Sequence, residues 1–220
     1  MNGDRMPPES VSRRSFLRTG CMGAVAVGVT VCSGAGLVVA LRADPPPLDL
    51  PSSSYGEQAG DKVLIAYASA TGSTVDIAAA VGSTLGERGF SIDVRPAKEK
   101  PSIDGYQAVL VGSAVQGGNW LPEAVDFVQA NQSDLNLLPV ALFSVHFFNR
   151  GTGENAQKRR LAYLDTVRPL VPLADIVFFA GRFDQRTTAV GLPSWLARLT
   201  PTMDFRDWEV IRAWAHTVFA

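Results

Sequence analysis

From Asp61 onward the sequence predicts an α/β domain, a doubly wound parallel sheet of five strands covered by helices on both faces. Three observations predict it. Short apolar runs of strand length alternate with segments whose apolar residues recur every three or four positions. The intervals between the runs suit crossover helices, as parallel strands require. The first strand-to-helix junction, Ser69-Ala70-Thr71-Gly72-Ser73-Thr74, has the composition of an anion-binding turn.

The elements follow in order. Lys62–Ala68 is the first strand, and Ser73–Arg88 the first helix, with Ile77, Ala78, Val81 and Leu85 at helical spacing. Ser91–Arg95 and Ala108–Ser113 are the second and third strands, the latter a continuous apolar run suited to burial on both faces. Leu121–Gln132 is helical, with Pro122 at its start. Val140–His146 is the fourth strand and Asn155–Pro169 the next helix. Ile176–Gly181 is the fifth strand, and Arg206–Phe219 the closing helix. The chain contains no internal repeat.

The 220 residues, 46% of them hydrophobic, suffice for one domain of ordinary size plus a leader. A net charge of −1 and the absence of a basic stripe exclude a nucleic-acid surface. Residues 1–43 read as a targeting segment, 44–60 as a Pro/Ser-rich linker and 61–220 as the folded domain. Ser12-Arg13-Arg14-Ser15-Phe16-Leu17-Arg18 resembles the twin-arginine export motif, and an uncharged, weakly hydrophobic run over 19–41 follows it. Val38-Val39-Ala40 suits cleavage after Ala40, while the length of the run also suits an uncleaved membrane anchor. The twin-arginine machinery exports folded proteins, often with a cofactor already bound, so this resemblance implies both a location outside the cytoplasmic membrane and a cofactor. Both cysteines, Cys21 and Cys32, lie in the leader; a chain cleaved after Ala40 has no thiol to supply a disulfide, a metal ligand or a nucleophile.

The turn after the first strand carries the chemistry. Gly72 permits a tight turn that exposes backbone N–H groups at a helix N-terminus, where the helix dipole favours an anion. Ser69, Thr71, Ser73 and Thr74 add hydroxyls, and Ala70 completes the loop without a charge. No Lys or Arg is present, so this is not a G-x-x-x-x-G-K-[ST] loop; nor are there the three glycines of G-x-G-x-x-G. Amides and hydroxyls alone suit a small terminal monophosphate. An ordinary Ser/Thr-rich turn capping a helix shares this composition. The pattern S-x-T-G-x-T after a first strand resembles the phosphate loop of flavodoxins, which hold the phosphate of FMN.

That resemblance implies a flavodoxin-like sheet of order 2-1-3-4-5, with the ligand at the carboxyl edge of the strands. Two further loops then form the ring site. One follows strand three and contains Ser113, Ala114, Val115, Gln116, Gly117 and Trp120; the other follows strand four and contains His146 and Phe147. Trp120 has two readings, a lid stacked on the flavin or a core residue at the start of a helix. His146 likewise either bonds the flavin edge or is structural. Phe147 and Phe148, consecutive at a strand end, are expected to point to opposite sides. Lys158-Arg159-Arg160 reads as a solvated helix face, with docking of an acidic redox protein as the sharper alternative. His216 reads as structural. No hydrolytic triad or metal motif is present, and no catalytic residue is assigned.

Ala108–Val128, Pro139–Phe147, Ile176–Phe183 and Asp207-Trp208-Glu209 narrow the resemblance to the menaquinone-dependent protoporphyrinogen oxidase branch. The chain departs from that branch between Phe183 and Arg206, where only Leu192–Leu199 stands in place of a longer basic and apolar segment, and Asn149–Gln157 is less basic. Together with export, these departures predict that porphyrinogen oxidation is not retained. The expectation is an exported FMN oxidoreductase acting on a quinone-like or other organic substrate. A non-catalytic electron carrier docking to a redox protein, or the protoporphyrinogen oxidase-like activity of the resembled branch, is the alternative, and a flavin-free interaction module a third.

Overall fold

A computed structural model describes residues 48–57, 59–183 and 202–220. The leader with its anchor or cleavage site, both cysteines and Leu192–Leu199 lie outside the described residues. Among those described, no helix is long and apolar enough to cross a membrane.

The strands are β1 Ser53–Tyr55, β2 Lys62–Ala68, β3 Ser91–Pro96, β4 Ala108–Gln116, β5 Asn119–Trp120, β6 Val140–His146, β7 Asp175–Ala180, β8 Arg182–Phe183 and β9 Met203–Asp204. The helices are α1 Ser73–Glu87, α2 Pro122–Ala130, α3 Gln132–Leu135, α4 Glu154–Ala162 and, for Trp208–Thr217, α5. The main sheet runs β1-β3-β2-β4-β6-β7. Its five long strands are mutually parallel, which reproduces the predicted order 2-1-3-4-5.

Burial on both faces explains why the central strands are apolar throughout. Along β2, Val63, Ile65 and Tyr67 face α1 and α5, meeting Ile77, Val81, Leu85, Ile211 and Ala215. Leu64, Ala66 and Ala68 face the other way, toward Ala124, Phe127 and Val128 of α2 and toward Leu164 and Val167. The period of two therefore separates two cores across one sheet. Asp207 caps α5 by accepting from the amides of Glu209 and Val210, so the helix begins two residues later than its hydrophobic pattern suggests.

Further boundaries differ from expectation, among them that of β4, which runs to Gln116 rather than Ser113. The linker predicted over 44–60 contains sheet, since Ser53–Tyr55 pairs antiparallel with Val94, Asp93 and Ile92 of β3. The Tyr67 hydroxyl donates to the Pro51 carbonyl at 2.8 Å, further tying this segment to the domain. Burial pushes the Tyr67 pKa up to about 12, so the phenol stays a donor. The helix predicted over Leu121–Gln132 breaks at Asn131, whose amide donates to the Phe127 carbonyl at 2.8 Å and competes with the helical ladder. The helix predicted over Asn155–Pro169 leaves α-geometry at Ala162 and continues in tight turns, with Leu164 bonded to Leu161 and Val167 to Leu164. Pro169 disfavours helix at the residue before it.

Candidate functional site

The strand ends at the carboxyl edge frame a cleft of about 380 Å³ lined from four segments. The loop between β2 and α1, with the first residue of α1, gives Ala70, Thr71 and Ser73; the end of β4 and the turn after it give Ala114 through Gly118. The end of β6 and its loop give Val145 through Asn149, with Tyr163 behind them, and Gly181 through Phe183 close the far side.

The first loop is built by its glycine. Gly72 adopts φ 88° and ψ −19° and opens α1 with no side chain capping the first turn. Ser69 is buried and its Oγ accepts from the Gly72 amide at 3.0 Å, which folds the loop back on itself. Thr74, in the first turn of α1, is fully buried, and its hydroxyl has no hydrogen-bond partner. Desolvating a hydroxyl without compensation is unfavourable, so a native fold that keeps one at a helix N-terminus is arranged for an acceptor from outside the chain. The residues present therefore fit an anion. Ser69, Gly72 and Thr74 are not part of the cleft's lining; Ser69 and Gly72 shape the turn, and Thr74 is buried in the first turn of α1.

The second loop is a hairpin. Gly117 and Gly118 both have positive φ, 60° and 84°, and let β5 turn back so that Trp120 pairs with Val115. That pairing decides the role of Trp120. Its indole N–H donates to Ser144 Oγ at 2.7 Å, and the residue is buried in the core at 3% exposure. Trp120 therefore packs beneath the loop and does not stack in the cleft. Ser113 is also structural, its Oγ donating to the Ala114 carbonyl and accepting from the Leu121 amide at 3.0 Å. Of the residues predicted for this loop, Ala114, Val115, Gln116 and Gly117 line the cleft.

His146 ends β6 and is buried at the cleft wall. Its Nδ1 lies 2.6 Å from the Phe148 carbonyl, which can only accept, so Nδ1 carries the proton and Nε2 the lone pair. Burial lowers its pKa below the ordinary 6.5; the Phe148 carbonyl opposes this, and the Arg160 and Arg150 charges reinforce it. At neutral pH the imidazole is an uncharged brace for its own loop. The same loop is pinned by Arg160, whose Nη1 donates to the carbonyls of Asn149 and Gly151 at 2.7 Å each. Lys158 and Arg159 are exposed as predicted, but Arg160 turns inward.

Phe147 and Phe148 both line the cleft, against the expectation of opposite sides. Their rings meet edge-on at 5.2 Å. Strand alternation no longer applies there, because β6 stops at His146. Phe147 also packs 5.1 Å from Phe183 and 5.6 Å from Phe205, and the Arg150 guanidinium covers Phe205 at 3.3 Å. Phe148 is 73% exposed at the rim.

Arg182, Phe183, Tyr163, Asn149 and Gly118 were not assigned from sequence. Gly118 is the second of the paired glycines Gly117-Gly118 after strand three, and Asn149 lies in a loop already singled out. Arg182 and Phe183 follow the fifth strand, where nothing local marks them. Among the described residues no group of His, Cys, Asp and Glu converges to hold a metal ion.

Residues 64–189 match the family described as "Flavodoxin domain". Among curated proteins, the chain is 31% identical over 91 residues to "Protoporphyrinogen IX dehydrogenase [quinone]" of Escherichia coli K12, covering 40% of this chain and 50% of that protein. The same figures hold for the counterpart in Escherichia coli O157:H7, so the chain spans about half the length of these relatives. Similar solved structures include oxidised Flavodoxin 1 from Bacillus cereus, at TM-score 0.43 and 17% identity over 71% of this chain and 95% of that one. A mutant flavodoxin from Pseudomonas aeruginosa has TM-score 0.45 and 15% identity over 72% and 99% of the two chains. The rubredoxin:oxygen oxidoreductase of Desulfovibrio gigas has TM-score 0.44 and 17% identity over 71% and 35%.

Proposed function

This chain belongs to the flavodoxin domain family and binds FMN, and on that premise we propose that it is an exported redox protein that exchanges electrons with a quinone-like or other planar organic substrate. One observation supports the cofactor end of this reading most strongly: the buried, unpartnered Thr74 hydroxyl under the Gly72 turn, at the start of α1. The hydroxyls of Thr71, Ser73 and Thr74 and the exposed loop amides would hold the phosphate. Ala114–Gly118 and Val145–Asn149 would enclose the ring and exclude water. FMN supplies the electron-transfer chemistry, and the protein sets its orientation and surroundings. His146 keeps its Nδ1 proton on the Phe148 carbonyl, so it orients the loop and is not an acid at neutral pH.

The aromatic rim favours an organic substrate over a simple carrier. Phe147, Phe148, Phe183 and Phe205, with Arg150 against two of them, offer apolar faces on which a planar molecule can stack. A curated relative is named for a quinone acceptor, which supports the same class. Protoporphyrinogen is not proposed as the substrate, since the match covers half of that enzyme and export would separate the domain from haem synthesis. Export itself is proposed from Arg13-Arg14 and the uncharged run that follows.

The test is a visible absorption spectrum and FMN titration of the purified full chain, followed by steady-state turnover with a small quinone. Bound flavin and quinone-dependent turnover are expected. A colourless protein with no response to FMN refutes the cofactor; flavin without turnover of any quinone leaves the electron carrier.

A further inference from the structure

The phosphate loop holds no cationic residue, but the fold brings one to it. Gly181 donates its amide to the His146 carbonyl at 2.8 Å, and a Cβ on Gly181 would stand 3.2 Å from Ser73 Oγ, so the chain leaving β7 abuts the first residue of α1. Arg182 comes next. Its backbone is fixed by pairing with Asp204 in the β8–β9 ladder. Its Nη2 reaches 3.9 Å from the point where a Cβ on Gly72 would stand.

Arg182 is poorly satisfied where it lies. Its Nε is buried and has no hydrogen-bond partner. Among the described residues its nearest carboxylate oxygen, Asp76 Oδ2, is 3.9 Å from Nη2, too far for a hydrogen bond. Asp76 is already engaged by Arg206 at 2.6 Å, and Arg206 in turn holds Asp204 at 2.6 Å. Among the described residues, the buried side-chain polar atoms without a partner are Thr74 Oγ1 and Arg182 Nε. Both belong to groups that flank the Gly72 turn.

A hydroxyl, a helix N-terminus and a guanidinium with a free donor together match a phosphate monoester dianion, which presents several acceptor oxygens and two charges. We propose that Arg182 supplies the positive charge of the cofactor-phosphate site, delivered from β8 across the sheet edge rather than from the loop. The proposal rests on the FMN reading for the identity of the ligand, but not for the anion site itself. It makes phosphate recognition depend on the β8–β9 ladder as well as on α1.

The full chain is titrated with FMN and with riboflavin, which lacks the phosphate, by flavin fluorescence. Arg182→Gln is expected to weaken FMN binding by about tenfold or more and to leave riboflavin within about twofold. It should also flatten the salt dependence of FMN binding. Arg182→Lys keeps the charge but loses the Nε donor, and should fall between. In parallel, inorganic phosphate should raise the thermal midpoint of wild type and not of Arg182→Gln. Unchanged FMN affinity in Arg182→Gln, or equal losses for FMN and riboflavin, overturns the proposal. If Arg182→Gln does not fold, Arg182→Lys decides by the same FMN-to-riboflavin comparison. A wild type that ignores FMN yet is stabilised by phosphate through Arg182 refutes the flavin and keeps the anion site; one that ignores both refutes both.

Discussion

Thr74→Val separates the fold from the site, because the two effects have opposite signs. The substitution exchanges a fully buried hydroxyl for a methyl of similar shape. A hydroxyl desolvated without a partner costs about 1–3 kcal/mol, and replacing it by an apolar group removes that cost. For a domain of this size each kcal/mol shifts the thermal midpoint by about 2–4 °C, so the flavin-free variant should melt about 2–12 °C above wild type. Binding should move the other way. A hydrogen bond to a charged phosphate contributes about 1.5–3 kcal/mol, so FMN affinity should fall about 10- to 150-fold. Thermal unfolding of flavin-stripped protein measures the first effect, and fluorescence titration the second. Thr74→Ser, which keeps the hydroxyl, should resemble wild type in affinity. A flavin-free Thr74→Val that melts below wild type, or that binds FMN within twofold of it, refutes the assignment of this hydroxyl to a ligand.

Trp120→Phe removes the indole donor and strands Ser144 Oγ in the core, so stability should fall by about 1–3 kcal/mol in urea unfolding while the flavin spectrum stays unchanged; a shifted spectrum would place Trp120 against the ring. Burial lowers the His146 pKa, so the folded state stays uncharged where the unfolded chain takes up a proton below its ordinary 6.5. Stability is then fully present above about pH 6.5 and declines as pH falls toward the folded-state pKa, and His146→Gln should flatten the urea midpoint between about pH 7.5 and 5.5. The depressed Asp93 and Asp204 act in a lower window, beneath the ordinary carboxyl value of 3.8, and do not confuse the result. Changing Arg13 and Arg14 together to Lys keeps the charge and should trap the domain inside the cell; fractionation that finds the variant outside at wild-type levels replaces the twin-arginine assignment with another route.

What was legible in the sequence is what is decided locally. The bounds of β2 and β6 match those read from their apolar runs, because burial on both faces leaves no exposed position inside either strand. The loop over Ser69–Thr74 was legible for the same reason, since glycine and hydroxyls at a strand-to-helix junction act on their own neighbours. β1 was not. Ser53-Ser54-Tyr55 carries no strand pattern, and its conformation comes from pairing with β3 and from contact of Tyr55 with the core. Trp120 shows the limit differently: a Trp beside paired glycines suits either lid or core, and only its distance to Ser144, across two strands, chooses between them.

Arg182 was invisible for a further reason, which bears on how the site works. Absence of Lys and Arg from the loop implied a phosphate held by neutral groups alone, and that holds for the loop but not for the space around it. Thr74 is buried by the packing of α1 on the sheet, through Ile77, Ala78 and Val81. Arg182 is held by β8 pairing with β9 and by the Phe205 amide, which donates to the Gly181 carbonyl at 3.3 Å. Two segments far apart in sequence thus each bring an unsatisfied polar atom to one turn. Neither is stabilising by itself, and a dianion that satisfies both binds only when both segments are docked. By mass action such a ligand stabilises the junction between α1 and the β8–β9 ladder as well as the loop it touches. Loss of flavin should therefore loosen β8 and β9 together with the start of α1, while amide protection at the centre of β4 and β6 stays unchanged.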